Sequence, residues 1–321
     1  MRSFLALVAL AVLIHGGLVH LWWSTAGAEH AAVRLDEAFL KGPKRVRILF
    51  AGDSHTRNAI DPESLGNVQN IAVGGEHFLK TKYRLQWLLT QGDVQVDAVV
   101  LPLEASSFTS WKADNFEPEG VWGRYVDFVE VGRRRGDVVA YLGRAVKGRV
   151  FPYVGEADTW FQYLVGAAAF REEAGLGTFA LASPQERAHQ ARDAAERHFK
   201  GNRVDDPSLV WAFRSLIRWL NAKDIRVVLM AYPVSRPYQM AAAGYGGRAV
   251  AREGVLPGLL EREAVEFLDY EDVMFGDDRF FLDADHLNVL GARQLSRAIR
   301  PRLVEMGLLD KSSTTPTPSG S

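Results

Sequence analysis

The chain opens on a long apolar stretch. From Ser3 to Ala28 there is no Asp, Glu, Lys or Arg, and Phe4–Trp23 is mostly Leu, Val and Ala. About 20 apolar residues at roughly 1.5 Å each match a hydrocarbon core of roughly 30 Å. The pattern therefore predicts a membrane-crossing helix within residues 1–28, with Trp22 and Trp23 at the interface. A cleaved signal peptide is the competing expectation, because Ala26-Gly27-Ala28 has the small-residue spacing of a cleavage site. Arg2 is the one charge ahead of the run. A positive flank tends to remain cytoplasmic, so the rest is expected outside the cytoplasmic (inner) membrane, in the periplasm of a cell that has one.

After residues 29–44, read as a stalk, short apolar runs alternate with amphipathic ones. "KRVRILFAGDS" has the form of a first strand, "VQNIAVGG" (68–75) of a second, and "DAVVLPLEASSF" (97–108) of a third. Between the last two, "LKTKYRLQWLL" (79–89) has helical spacing. Further on come a helix from Ser208, a strand at Arg226–Ala231 and another within 264–273. A closing helix begins after Val289. Strand and helix alternating at crossover length predict an α/β domain over 45–310, a parallel sheet with helices on both faces. Residues 109–205 break the rhythm. They read as a helical insertion rich in Trp, Tyr and Phe, with "SPQERAHQARDAAERHF" (183–199) capped by Ser183. The tail 311–321 is low in apolar content and is expected to be disordered.

Composition narrows the classes. At 47% apolar and 24% charged the 321 residues are ordinary for a globular chain. A net charge of −1 gives no electrostatic basis for nucleic-acid binding. Cysteine is absent, which excludes a thiol nucleophile, a cysteine metal site and a disulfide framework. The acidic stretch around Asp277, Asp278, Asp283 and Asp285 matches no EF-hand spacing, so neither metal nor cofactor is expected.

The chemistry lies in "ILFAGDSHTRNAID" (48–61), where an apolar strand stops on Gly52-Asp53-Ser54-His55. In an open parallel sheet, ligands collect at the carboxyl ends of strands. Ser54 sits at one such end, Gly74-Gly75 at another and Glu104-Ala105-Ser106-Ser107 at a third. A serine hydroxyl needs a base to become a nucleophile. Of eight histidines, His15 and His20 fall in the apolar run and His30 in the stalk. His189 and His198 fall on a polar helix, and His55 is too close to Ser54 in sequence to face it. His77 reads as a rim or core residue. His286 remains, in "FFLDADHLNVLGARQL", with Asp283 three residues upstream to fix its tautomer. Asp285 is expected to cap the closing helix.

"GDSH" after a first strand and "DADH" before a last helix resemble the first and last blocks of the SGNH (GDSL-type) hydrolase superfamily. The resemblance spans about residues 44–108 and 208–308. It implies a three-layer α/β/α, flavodoxin-like fold and a Ser–His–Asp triad of Ser54, His286 and Asp283. "NIAVGGEHF" is similar to the second block, which implies oxyanion donors at Gly75 or Gly74 together with the Ser54 backbone N–H. The third block departs: "LPLEASSF" stands where family esterases carry Gly-x-Asn, leaving Ser106 or Ser107 as stand-ins for the missing asparagine. With the apolar N-terminal run, the chain resembles the extracytoplasmic O-acyltransferases of surface polysaccharides, the alginate O-acetylation and lipoteichoic acid D-alanyl transfer proteins. That resemblance implies a polysaccharide acceptor and an acyl group, acetyl foremost, delivered by a multi-spanning membrane acyltransferase. A carbohydrate esterase and a non-catalytic scaffold for glycan or partner remain open as alternatives.

Overall fold

The computed structural model describes residues 1–114, 116, 119–154 and 179–311. The tail from 312 onward and the aromatic Trp160, Phe161 and Tyr163 lie outside the described residues. Chain contacts divide the protein into two compact units. The described residues of Pro43–Phe78, Asp93–Ala113 and Ala174–Ser321 form one, called here the sheet unit. Those of Met1–Gly42, Leu79–Gly92 and Asp114–Glu173 form the helical unit. The segment read as an insertion is thus shared: its described residues within 114–154 belong to the helical unit, and those within 109–113 and 179–205 to the sheet unit.

Five strands make the sheet: β1 (Arg45–Phe50), β2 (Val68–Asn70), β3 (Gln95–Pro102), β4 (Arg226–Ala231) and β5 (Val265–Asp269). All neighbours are parallel, in the order β2-β1-β3-β4-β5. This is the flavodoxin-like order of an α/β fold. Successive side chains on a strand point to opposite faces, and both faces here are dry. Ile48, Phe50, Ala98, Val100, Val228, Met230 and Leu268 pack with apolar residues of the helices Pro184–Phe199, Arg236–Ala242 and Val289–Glu305. The alternate residues Leu49, Val99, Leu101, Val227 and Leu229 are equally buried. On that side the helix Pro207–Asn221 packs on β4, burying Leu209, Phe213, Leu216 and Leu220.

Two ends differ from the sequence reading. β3 stops at Pro102, and Leu103–Phe108 leaves the sheet in a turn stabilised by Ser107 Oγ, which accepts the Glu104 N–H at 2.8 Å. The closing helix is capped by Asn288, whose side chain accepts the N–H of Leu290 and Gly291 at 3.0 Å each. Asp285, the expected cap, is drawn elsewhere by buried cations. Ser183 caps Pro184–Phe199 as expected, in a capping box with Glu186.

The helical unit holds the apolar helix Arg2–Trp23, long and apolar enough to cross a membrane. Helix Ala31–Lys41 buries Ala32, Val33, Asp36 and Phe39. Asp36 is fully enclosed because Arg84 donates to its carboxylate from both Nε (2.9 Å) and a terminal nitrogen (2.7 Å). A buried carboxylate requires such a partner. Helices Phe128–Arg135 and Val138–Val150 complete the unit, each started by an aspartate cap, Asp127 and Asp137.

Candidate active site

β1 runs straight into its turn. Gly52 has φ +147°, and a Cβ there would lie 2.7 Å from the Pro102 ring and 2.8 Å from Thr56 Oγ1. Only glycine fits such a conformation and so close an approach. Asp53 then caps the short helix Ser54–Ala59 by accepting the His55 N–H at 3.0 Å. Ser54 is the first helical residue, displayed at the carboxyl end of β1, between β2 and β3.

His286 comes to it across 232 residues of chain. Its Nε2 is 2.8 Å from Ser54 Oγ, and its Nδ1 is 3.0 Å from each carboxylate oxygen of Asp283. A carboxylate can only accept, so Nδ1–H donates to Asp283, and Nε2 of the neutral ring accepts the Ser54 hydroxyl proton. Asp283 is held in turn by the backbone N–H groups of Asp285 (3.0 Å) and His286 (2.9 Å). Ser54, His286 and Asp283, named from sequence, are one hydrogen-bonded chain. Such an arrangement can take a proton from a serine hydroxyl and stabilise the imidazolium that results.

Beneath it lies a buried ionic cluster that the sequence did not disclose. His55 was set aside as a neighbour of Ser54, yet its ring stands edge-on to that of His286, centroids 4.8 Å apart. Its Nδ1 is 2.9 Å from Glu104 Oε2 and its Nε2 is 3.3 Å from Asp285 Oδ2. With a carboxylate at ion-pair distance from each ring nitrogen, the protonated ring is the form the surroundings favour. Burial opposes that charge, but Glu104, Asp285 and Asp53 outweigh it and hold the His55 pKa well above its ordinary value. Asp285 is likewise kept far below the usual carboxylate range. Burial opposes its ionisation, and the hydrogen bond and the charge of His55 overcome it. Lys112 reaches Asp53 Oδ2 at 2.5 Å. Against the cost of burial, that pair raises the lysine and depresses the aspartate.

His198 adjoins this cluster. Its Nδ1 is 2.7 Å from the Tyr238 hydroxyl and its Nε2 is 3.7 Å from Asp285. Burial pushes its pKa down to about 3, with Asp285 opposing and Lys112 and His55 assisting. Its helix is polar by pattern, as read, but this position faces inward, whereas His189 is exposed. His77 is buried. One weak signal for the cluster was in the sequence: Glu104 follows the end of β3, next to the strand that carries Ser54.

The oxyanion candidates are less sharply placed. Beyond β2, Val73 N–H donates to Gly52 O at 3.0 Å, so Gly74 and Gly75 emerge alongside the Ser54 turn. A Cβ on Gly74 would lie 3.2 Å from the Arg57 guanidinium, one turn from Ser54, and Gly75 has φ +71°. Ser106 is buried in the turn that also carries Glu104. The hydroxyl of Ser107 is committed to that turn by the Glu104 N–H. Among the described residues, His55, Asp285 and His286 could each offer one metal-ligating atom, all within 4.8 Å.

No protein-family model and no curated protein matches the chain. Solved structures resemble it in outline only. A GDSL-like lipase from Bacteroides thetaiotaomicron is 10% identical, with TM-score 0.41 over 88% of this chain and 99% of that one. A Bacteroides fragilis protein provisionally called an acylhydrolase gives 11% identity and TM-score 0.40 over 83% and 89%. A Streptococcus pneumonia structure provisionally called a platelet activating factor gives 14% and 0.42 over 92% and 99%. Likenesses this distant do not bear on activity. The fold stands on its own strand order.

Proposed function

We propose that this chain is a serine-dependent acyl-transfer enzyme of SGNH type, anchored by its N-terminal helix. In the narrower reading it is an extracytoplasmic O-acyltransferase acting on a surface polysaccharide. The observation that carries the proposal is the Ser54–His286–Asp283 hydrogen-bond chain at the end of β1. In the first step Ser54 Oγ adds to the acyl carbonyl while its proton passes to His286 Nε2, and Asp283 stabilises the imidazolium. Collapse breaks the bond to the leaving group, which takes that proton from His286 and leaves an ester on Ser54. In the second step a sugar hydroxyl gives its proton to His286 and attacks the ester, and the proton returns to Ser54 as the acylated sugar departs. Gly74, Gly75, Ser106 and the Ser54 N–H are the proposed donors to the oxyanion. Water can replace the sugar hydroxyl, so the esterase reading shares the same first half. The departure from Gly-x-Asn counts against fast hydrolysis of a free ester, since losing one oxyanion donor costs roughly 2.7–4 kcal/mol in related chemistry. A multi-spanning membrane protein is the proposed acyl supplier.

The test is trapping with a serine-directed phosphonate, followed by turnover of an activated acetyl ester with and without oligosaccharide. An adduct on Ser54 and acetylated sugar support the transferase. An adduct with acetate alone supports the esterase. A folded protein that takes no label leaves the scaffold reading.

A further inference from the structure

Helix Val138–Val150 turns two faces outward from one another. Tyr141, Ala145 and Gly148 are buried within the helical unit, and a Cβ on Gly148 would strike the Gly123 backbone at 2.8 Å. On the other side Val139 (82% exposed), Leu142 (50%), Val146 and Val150 form a stripe at helical spacing, continued by Phe151 and Val154. Soluble surfaces seldom carry so continuous an apolar band without a partner.

Three observations say what covers it. The stripe ends beside the N-terminal apolar helix: His15 Nδ1 is 2.8 Å from the Tyr153 hydroxyl, and its ring lies 5.0 Å from that of Phe151. His15 is eight residues from Trp23, about 12 Å along the helix, so this contact falls well inside the apolar span. The base of the stripe helix also meets the opposite end of that span, where Gly148 and Arg149 share a cavity of about 550 Å³ with Trp23 and Arg124. Finally, cationic residues flank the stripe. Arg133 and Arg134 are exposed on the last turn of Phe128–Arg135, just ahead of the stripe.

We infer that helix Val138–Val150 lies in the membrane surface, its Val139–Leu142–Val146–Val150 face buried in the lipid beside the N-terminal helix and its flanking arginines at anionic headgroups. Interfacial helices of this kind sink roughly 5–10 Å into the boundary between headgroups and acyl chains. The helical unit would then hold the bilayer at two places, one segment spanning it and one lying on it. This inference rests on the anchored reading above.

The absence of cysteine makes the test direct. Leu10→Cys, Val139→Cys, Leu142→Cys, Val146→Cys and Glu196→Cys are each spin-labelled in the full chain. Each is reconstituted in phosphatidylcholine vesicles containing phosphatidylglycerol. Accessibility to oxygen and to a nickel chelate is then measured. Labels at 139, 142 and 146 should favour oxygen several-fold over the label at 196, as the label at 10 does. Should 10 enter lipid while 139, 142 and 146 stay open to nickel, the surface helix is refuted and the anchor stands. Should 10 also stay open to nickel, both are refuted. Labels at 139–146 shielded from both reagents, with spin–spin broadening, would mean a second copy covers the stripe and would overturn the inference.

Discussion

The two units treat charge and oil in opposite ways. The sheet unit encloses Asp53, His55, Glu104 and Asp285 in a dry cluster while its apolar side chains are hidden on both sheet faces. The helical unit also buries an ion pair, Asp36–Arg84, yet leaves Val139, Leu142 and Val146 open. In the first, enclosed charge fixes groups around Ser54 and His286. In the second, uncovered apolar area is held ready for a partner. A buried charge is strongly coupled to its neighbours and expensive to disturb, whereas an uncovered aliphatic group contributes little until something covers it.

That contrast is open to mutation. Ser54→Ala should lower ester turnover by about 10⁴-fold or more with folding unchanged; turnover within tenfold of the parent would remove Ser54 from the chemistry. His55→Gln strands the Glu104 and Asp285 carboxylates and should cost about 3–5 kcal/mol in denaturant unfolding at pH 7. The sign follows from the raised His55 pKa. Its contribution is complete below the unfolded value of 6.5 and is lost as pH rises through the folded value, so the deficit should shrink in alkali. A variant as stable as its parent at pH 7 would show that His55 is not held as a cation.

Asp283→Asn should reduce turnover by less than the roughly 10⁴-fold that losing the orienting carboxylate costs in a triad with no substitute, and less than removal of the serine. Asp285 Oδ1, 3.5 Å from His286 Nδ1, remains to orient the ring. A loss as deep as that of Ser54→Ala would assign Asp283 the whole orienting role. His198 has its pKa depressed to about 3, so it favours the native state above the unfolded pKa of 6.5 and ceases to do so as pH falls toward 3. Within that window it should take away about 1.4 kcal/mol per pH unit. His198→Asn should flatten the acid limb of stability, and an unchanged limb would contradict its neutral burial. The smallest effect belongs to the helical unit. Val146→Glu should alter unfolding in detergent-free buffer by less than about 0.5 kcal/mol and leave turnover of a soluble ester untouched. A large loss would mean the stripe is packed against protein.

Much of the site could be read in the linear chain because its parts are local. Ser54 follows an apolar run and a glycine, and Asp283 and His286 stand one turn apart, so each half is written within four residues. His55 and His198, set aside as bases for Ser54, are indeed not bonded to it, but their part in the buried cluster went unread, and the capping role given to Asp285 did not survive. Each of those judgements used a neighbour's position on the same element, while the partners that decide their states come from other elements: Glu104 after β3, Lys112 beyond it, and Tyr238 in the helix after β4.

By itself the sequence determined the apolar span, the alternation that yields a parallel sheet, and the serine, histidine and aspartate that meet at its edge. These depend on period and short spacing, which one strand or turn imposes. Only the tertiary structure decided which charges are sealed from water and which aliphatic face is not. Helix Val138–Val150 carries apolar residues on both sides, and periodicity cannot say which side the fold will cover. The state of a buried ion depends on whatever distant chain excludes solvent around it, and no local pattern carries that.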